Sequence, residues 1–192
     1  MPALILASTS PYRRSLLARF AIDFEVIAPE VSEAATAGES PADRALRLAL
    51  AKAQAVARRR PDAVVIGSDQ VAASGEQVLE KPGDAARARA QLTALSGRTA
   101  RFYTACAVLA GNAGVQMAHV DTTTVVFRAL STGEIERYVA HERPFDCAGG
   151  FKAESLGISL FEFIESQDPT ALIGLPLIWL AGALRGAGYR LP

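Results

Sequence analysis

The sequence predicts an α/β protein built on a mixed, twisted sheet flanked by helices. Three observations carry that prediction. The runs Leu4-Ile5-Leu6-Ala7 and Ala63-Val64-Val65-Ile66 are unbroken and apolar, with no polar face to offer water, which marks strands covered on both sides. Helix starts with capping signals stand at Ser10-Pro11, at Ser40-Pro41-Ala42-Asp43 and at Ser131-x-x-Glu134. Two β-rich runs, residues 103–109 and 120–127, flank Gly111-Asn112-Ala113-Gly114 and read as an antiparallel hairpin.

With 192 residues, half of them hydrophobic, the chain is long enough for one well-buried core and is read as a single domain over 1–192. Its 20 Lys and Arg balance 20 Asp and Glu. Binding duplex nucleic acid requires a basic surface that neutralises phosphates, so the balance excludes that class and leaves small polyanions as the anions to expect. The start, Met1 to Ala7, lacks the basic region of a signal peptide. The greasiest stretch, 172–184, is interrupted by Pro176 and falls short of the ~20 residues of a membrane helix. Cys106 and Cys147 have no CxxC partner and read as free thiols. A soluble, cytoplasmic protein with no membrane partner is expected.

The first strand runs into Ser8-Thr9-Ser10-Pro11-Tyr12-Arg13-Arg14, where a helix begins with two arginines in its first turn. The amino end of a helix macrodipole prefers anions, so cations there are misplaced for stability. A bound phosphate would repair the mismatch, and the hydroxyl-rich turn supports an anion site; the plainer reading is a capped surface helix with solvated arginines. Residues 24–27 form a short strand, followed by a loop in which Glu33 and Glu39 are ordinary acids on their own.

The helix from Ser40 to about Arg59 carries an apolar stripe of Ala45, Leu48, Ala49, Ala53 and Val56. Lys52 falls inside that stripe, at ~100° per residue, and points inward. A buried, unpaired ammonium costs several kcal/mol, so Lys52 either snorkels outward or meets an anion, and the anion is favoured. The triplet Arg58-Arg59-Arg60 sits at the helix carboxyl end, where solvated cations belong. Asp69 follows the strand 63–66, at the carboxyl end of a central strand, where open α/β sheets bind ligands. On this stretch alone, a catalytic carboxylate and a turn aspartate capping its own backbone are equal readings.

Residues 71–79 suggest a hairpin, Glu80-Lys81-Pro82-Gly83 a loop with Lys81 facing solvent, and Ala85, Ala88, Leu92 and Leu95 one face of a helix. A short helix from Ser131 through Tyr138, a turn-rich segment over 144–150, a strand over 158–164 and a buried, nearly all-apolar helix after Pro176 complete the expected elements. His119 and His141 are isolated, without metal-ligand spacing. No Gly-x-Ser-x-Gly elbow supports serine hydrolysis.

In order along the chain stand LASTSPYRR at 6–14, EVSE at 30–33, AKA at 51–53, IGSDQV at 66–71, EKP at 80–82, CAGGFKAESLGISLFE at 147–162 and LIGLPL at 172–177. In these motifs, spread over nearly its whole length, the chain resembles the Maf family of nucleotide pyrophosphatases. The resemblance implies an inosine-triphosphatase-like (Maf/HAM) fold with a cleft between two lobes. It also implies hydrolysis of a nucleoside triphosphate to monophosphate and pyrophosphate with a divalent metal, Mg²⁺ or Mn²⁺. Carried over residue by residue, it makes Asp69 the proton acceptor that activates water. Ser8, Arg13, Arg14, Lys52 and Lys81 become the phosphate-binding set, with Glu33 and Asp69 at the metal. Family members are often dimers, and the edges of the hairpin near 103–127 are where a homodimer would pair.

Three positions separate subgroups of the family. Pyrimidine-triphosphate members usually carry Arg, Thr and Gln where this chain has Tyr12, Gln70 and Glu154; an aromatic residue, Gln and Glu mark a subgroup whose implied substrate is 7-methyl-GTP. Methylation at N7 leaves guanine cationic, which suits an aromatic face at Tyr12 and a carboxylate at Glu154, while Gln70 offers both donor and acceptor. Two departures from the family pattern stand out: Ser32 where Asp is usual beside Glu33, which lowers the expected metal affinity unless Glu39 compensates, and Ser155 where Gly is usual. The competing expectations are a dTTP/UTP pyrophosphatase on the same scaffold and a nucleotide-binding regulator of cell division or septation that has lost catalysis.

Overall fold

The computed structural model describes residues 2–110 and 115–192. The expected turn Gly111-Asn112-Ala113-Gly114 lies outside these residues. The chain forms two compact units, one comprising Met1–Gln70, Tyr103–Asp121 and Asp168–Pro192, the other Val71–Phe102 and Thr122–Gln167.

In the first unit, β1 (Leu4–Ala7) is buried at every position, as an all-apolar strand must be. It pairs in parallel with the short β2 (Glu25–Val26) on one side and with β3 (Val64–Ser74) on the other, Leu4 opposite Val64 and Ala7 opposite Gly67. Strands β5 (Thr99–Ala110) and β6 (Val115–Phe127) contribute residues to both units, as β3 does. To the first unit belong the α-helices α1 (Pro11–Leu17), α2 (Pro41–Ala57) and α5 (Leu177–Gly186). Its core joins Leu4 and Leu6, Leu16 and Leu17, Val64 and Ile66, Cys106 and Val108, and Leu175, Leu180 and Leu184. The terminal helix expected to be buried is buried on one face only: Ile178 is 64% exposed.

In the second unit, β4 (Gln77–Leu79) pairs antiparallel with the end of β3, confirming the hairpin expected over 71–79. Helices α3 (Ala85–Leu95) and α4 (Thr132–Glu142) and strand β7 (Phe161–Glu165) complete it. Phe102, Phe127, Phe151 and Phe161 pack edge to face with ring centroids 4.9–5.5 Å apart. The strand expected over 158–164 starts later than the apolar pattern suggested. Leu156–Leu160 form a 3₁₀ turn that leaves Ile158 56% exposed, and only Phe161–Glu165 pair with β6.

Hydrogen bonding gives the sheet order β2-β1-β3-β5-β6-β7, with β4 also on β3. Parallel pairing of β1 with β2 and β3, and antiparallel pairing of β4 and β7, make it the mixed sheet with helices that the sequence predicts.

Candidate active site

Gly67 decides how closely α2 approaches β3. A Cβ there would collide with the Ala49 carbonyl oxygen and lie 2.7 Å from the Ala53 nitrogen, so only a residue without a side chain lets the two elements meet. Alternate strand residues face the same way, so Asp69 faces α2 as Gly67 does. Lys52 stands on the α2 stripe that packs there. Its Nζ lies 2.5 Å from Asp69 Oδ1 and 2.6 Å from Glu33 Oε1. The Lys52 and Asp69 side chains are only 8% and 10% exposed, whereas Glu33, on its loop, is 60% exposed. Lys52 thus meets anions, as its place in the apolar stripe favours: the buried Asp69 and the exposed Glu33.

The intervening positions of β3 face the other way, toward the segment 171–174. Ser68 Oγ donates to the Gly174 carbonyl at 2.9 Å, and Gln70 Nε2 reaches the carbonyls of Ala171 and Leu172 at 3.1 and 3.0 Å and Thr104 Oγ1 at 2.8 Å. Alternation along Gly67-Ser68-Asp69-Gln70 therefore splits one short motif between a charged face and an anchoring face.

At the helix start, the side chains expected to face phosphate also hold the turn itself. Ser10 caps α1 by accepting the Arg13 amide, and the Ser10 amide itself donates to Ser8 Oγ at 3.1 Å, with Ser8 buried. The two arginines separate. Arg14 is exposed, while Arg13 Nε donates to the Gly174 carbonyl at 2.9 Å. Burial lowers the pKa of the Arg13 guanidinium, and Asp69, then Cys106 and Glu33, pull it back up. Arg13 accordingly joins the electrostatic neighbourhood of Asp69 and Glu33. Tyr12 is half-buried in the first turn of α1.

Of the acids near this loop, Glu39 is engaged by Arg47, which donates to its two carboxylate oxygens at 2.5 and 2.7 Å and lowers its pKa. Ser32 Oγ accepts the Ala34 amide at 3.4 Å within its own loop. Among the described residues no group of three or more His, Cys, Asp or Glu is arranged to hold a metal. Glu33 and Asp69, brought together on one ammonium, make a two-carboxylate donor set. That set fits a hard cation that keeps its waters and takes further oxygens from a substrate phosphate, and does not fit an all-protein cage.

Two sequence-predicted site residues belong to the second unit. Lys81 is exposed between β4 and α3, in a loop fastened where Gln91 Nε2 donates to the Glu80 carbonyl and the Gly83 amide to the Phe145 carbonyl, both at 2.9 Å. Glu154 is exposed on a loop clamped by α4: the Lys152 amide donates to Tyr138 Oη at 3.0 Å and the Leu156 amide to Glu142 Oε2 at 3.2 Å. Ser155, with φ −138°, needs no left-handed backbone, so the usual Gly is not required there. Gly157 is the position without room, because a Cβ would strike the Lys152 backbone.

Sequence reasoning missed Ser68, Thr104 and the carbonyls of 171–174 as parts of the site. Thr104 is fully buried and donates to the Ala171 carbonyl at 2.9 Å. Asp168 anchors the same segment: its carboxylate accepts the Ile178 amide at 2.6 Å and the Thr170 amide at 2.9 Å. A buried Thr between apolar strand residues and the Asp168-x-Thr170 spacing were the signals available.

Among solved structures the chain is similar to the Staphylococcus aureus Ham1 protein, with TM-score 0.56 at 16% identity over 96% of this chain and 99% of that one. A HAM1 protein from Coxiella burnetii matches with TM-score 0.52 at 14% identity, over 97% and 100% of the two chains. These likenesses place the fold among HAM1-like proteins. Among curated proteins, one named 7-methyl-GTP pyrophosphatase from Xanthomonas axonopodis pv. citri is 57% identical over 192 residues, the full length of both chains. Another of that name, from Cupriavidus metallidurans, is 53% identical over 189 residues, covering 98% of this chain and 94% of its own. Residues 3–187 match the family described as Maf-like protein, and the chain belongs to that family.

Proposed function

We propose that this protein is a nucleoside triphosphate pyrophosphatase whose substrate is 7-methyl-GTP, converted with water to 7-methyl-GMP and pyrophosphate. The observation that carries the reading is the buried Lys52–Asp69 pair with Glu33 on the same ammonium, in a chain 51–57% identical to proteins named for that activity. Asp69 accepts the proton of the attacking water, a role worth ~10²–10⁴ in rate. Lys52 holds the Asp69 carboxylate in one orientation and supplies positive charge for a phosphate oxygen. Arg13, held by the Gly174 carbonyl, adds a second fixed cation beside Asp69. Ser8, with Arg14 and Lys81, completes the phosphate-binding set by family pattern. Tyr12, Gln70 and Glu154 are assigned to the base by the same pattern and by the cationic character of 7-methylguanine.

A divalent cation, Mg²⁺ or Mn²⁺, belongs to the proposal, with Glu33 and Asp69 holding it beside substrate oxygens. When bound it would neutralise charge on the departing pyrophosphate. The test is product analysis with 7-methyl-GTP, with and without Mg²⁺ or Mn²⁺, in wild type and Asp69→Asn. The reading expects stoichiometric pyrophosphate and 7-methyl-GMP, dependent on metal and reduced at least a hundredfold in the variant. Stepwise release of inorganic phosphate, or full activity in Asp69→Asn, contradicts it.

A further inference from the structure

We propose that Thr104 is a positioning residue that fixes the Gln70 amide with its NH₂ group turned into the protein, so that Gln70 presents substrate with a hydrogen-bond acceptor and no donor. This inference rests on the reading of Gln70 as a residue that meets the base. Gln70 Nε2 faces three acceptors, Thr104 Oγ1 at 2.8 Å, Leu172 O at 3.0 Å and Ala171 O at 3.1 Å. Two of them are main-chain carbonyl oxygens, which can only accept. Turning the amide over would set Oε1 against both, which disfavours the flipped amide, and the acceptor nearest to Nε2 is Thr104 Oγ1 at 2.8 Å.

Thr104 closes the remaining freedom. Its hydroxyl has one proton, and that proton goes to the Ala171 carbonyl at 2.9 Å, which leaves a lone pair aimed at Gln70. Thr104 is fully buried on β5, so water cannot take its place. An amide nitrogen with two protons and three protein acceptors has no capacity left for a ligand. Among the described residues no donor meets Gln70 Oε1, and Gln70 is only half-buried, so the oxygen is what a ligand encounters. The chemical class selected is a nucleobase edge carrying an N–H donor, as guanine has at N1 and at its exocyclic amine; a base presenting only a carbonyl at this position would face Oε1 with like polarity.

The experiment compares wild type, Thr104→Val, Thr104→Ser and Gln70→Ala by two readouts. In ¹H–¹⁵N spectra of the ligand-free protein, the Gln70 side-chain NH₂ pair, assigned by its disappearance in Gln70→Ala, exchanges slowly with water. Exchange accelerates at least tenfold in Thr104→Val and slows again in Thr104→Ser. In turnover of 7-methyl-GTP, Thr104→Val loses about tenfold in kcat/KM, mainly through KM, and Thr104→Ser recovers it. An NH₂ pair that exchanges equally fast in wild type and Thr104→Val overturns the lock whatever the substrate proves to be. An unchanged kcat/KM in Thr104→Val, while Gln70→Ala loses tenfold or more, overturns the positioning role. If the pair is protected but Gln70→Ala leaves the ranking of substrates untouched, the acceptor assignment falls together with the base-contact reading.

Discussion

An ammonium on the apolar stripe of a helix must reach water or meet an anion, and Lys52 meets two carboxylates. Replacing it with Met keeps the stem and removes the charge, leaving Asp69 buried and without this partner beside Glu33. Breaking a buried ion pair from one side costs about 3–5 kcal/mol, so Lys52→Met is expected to lower unfolding free energy by an amount of that order in urea titrations. Its turnover should fall at least a hundredfold. The Lys52 orientation was legible in the sequence because helical periodicity places every residue on a face. Its partner was not, because the Asp69 contact depends on how α2 lies on β3. The polarity of Gln70 was illegible for a related reason: its acceptors are main-chain carbonyls of a distant segment and one buried hydroxyl.

At the scale of elements, the approach of α2 to β3 depends on Gly67 having no side chain. Gly67→Ala therefore pushes helix from strand and lengthens the Lys52–Asp69 contact. The expected result is a loss of about 1–3 kcal/mol, as in core overpacking, together with a larger proportional loss of kcat than of thermal stability. In the second unit, α4 opens with a capping box in which Ser131 accepts the Glu134 amide and Glu134 accepts the Ser131 amide at 2.8 Å. Hydrogen bonds from Ser131, first from its amide and then from its hydroxyl, with a further one from Arg128, pull the Glu134 pKa down to about 2. A carboxyl depressed in the folded state stabilises it above the unfolded pKa of about 4.5 and loses that contribution as pH falls toward about 2. Glu134→Gln should flatten this part of the pH–stability curve, followed by circular dichroism between pH 5 and 2. That capping box was legible from Ser131-x-x-Glu134 alone. The later start of β7 was not, because apolar residues such as Ile158 fit a strand pattern equally well when a 3₁₀ turn leaves them exposed.

At the scale of the molecule, balanced charge, a mixed sheet and family motifs spread along the chain agree with one another, and no described helix is long and apolar enough to cross a membrane. The candidate site in the first unit gathers residues from the turn after β1, from α1, the Glu33 loop, α2, β3, β5 and the segment before α5, which explains why its motifs lie so far apart in sequence. Fold class was readable from apolar runs and caps; the anchoring face was hidden because it is made of main-chain carbonyls, which every residue has. The most direct test of the substrate assignment is kcat/KM for 7-methyl-GTP, GTP, dTTP and UTP under identical metal conditions. 7-Methyl-GTP is expected to lead the other three by at least tenfold; a pyrimidine triphosphate in first place would overturn the assignment.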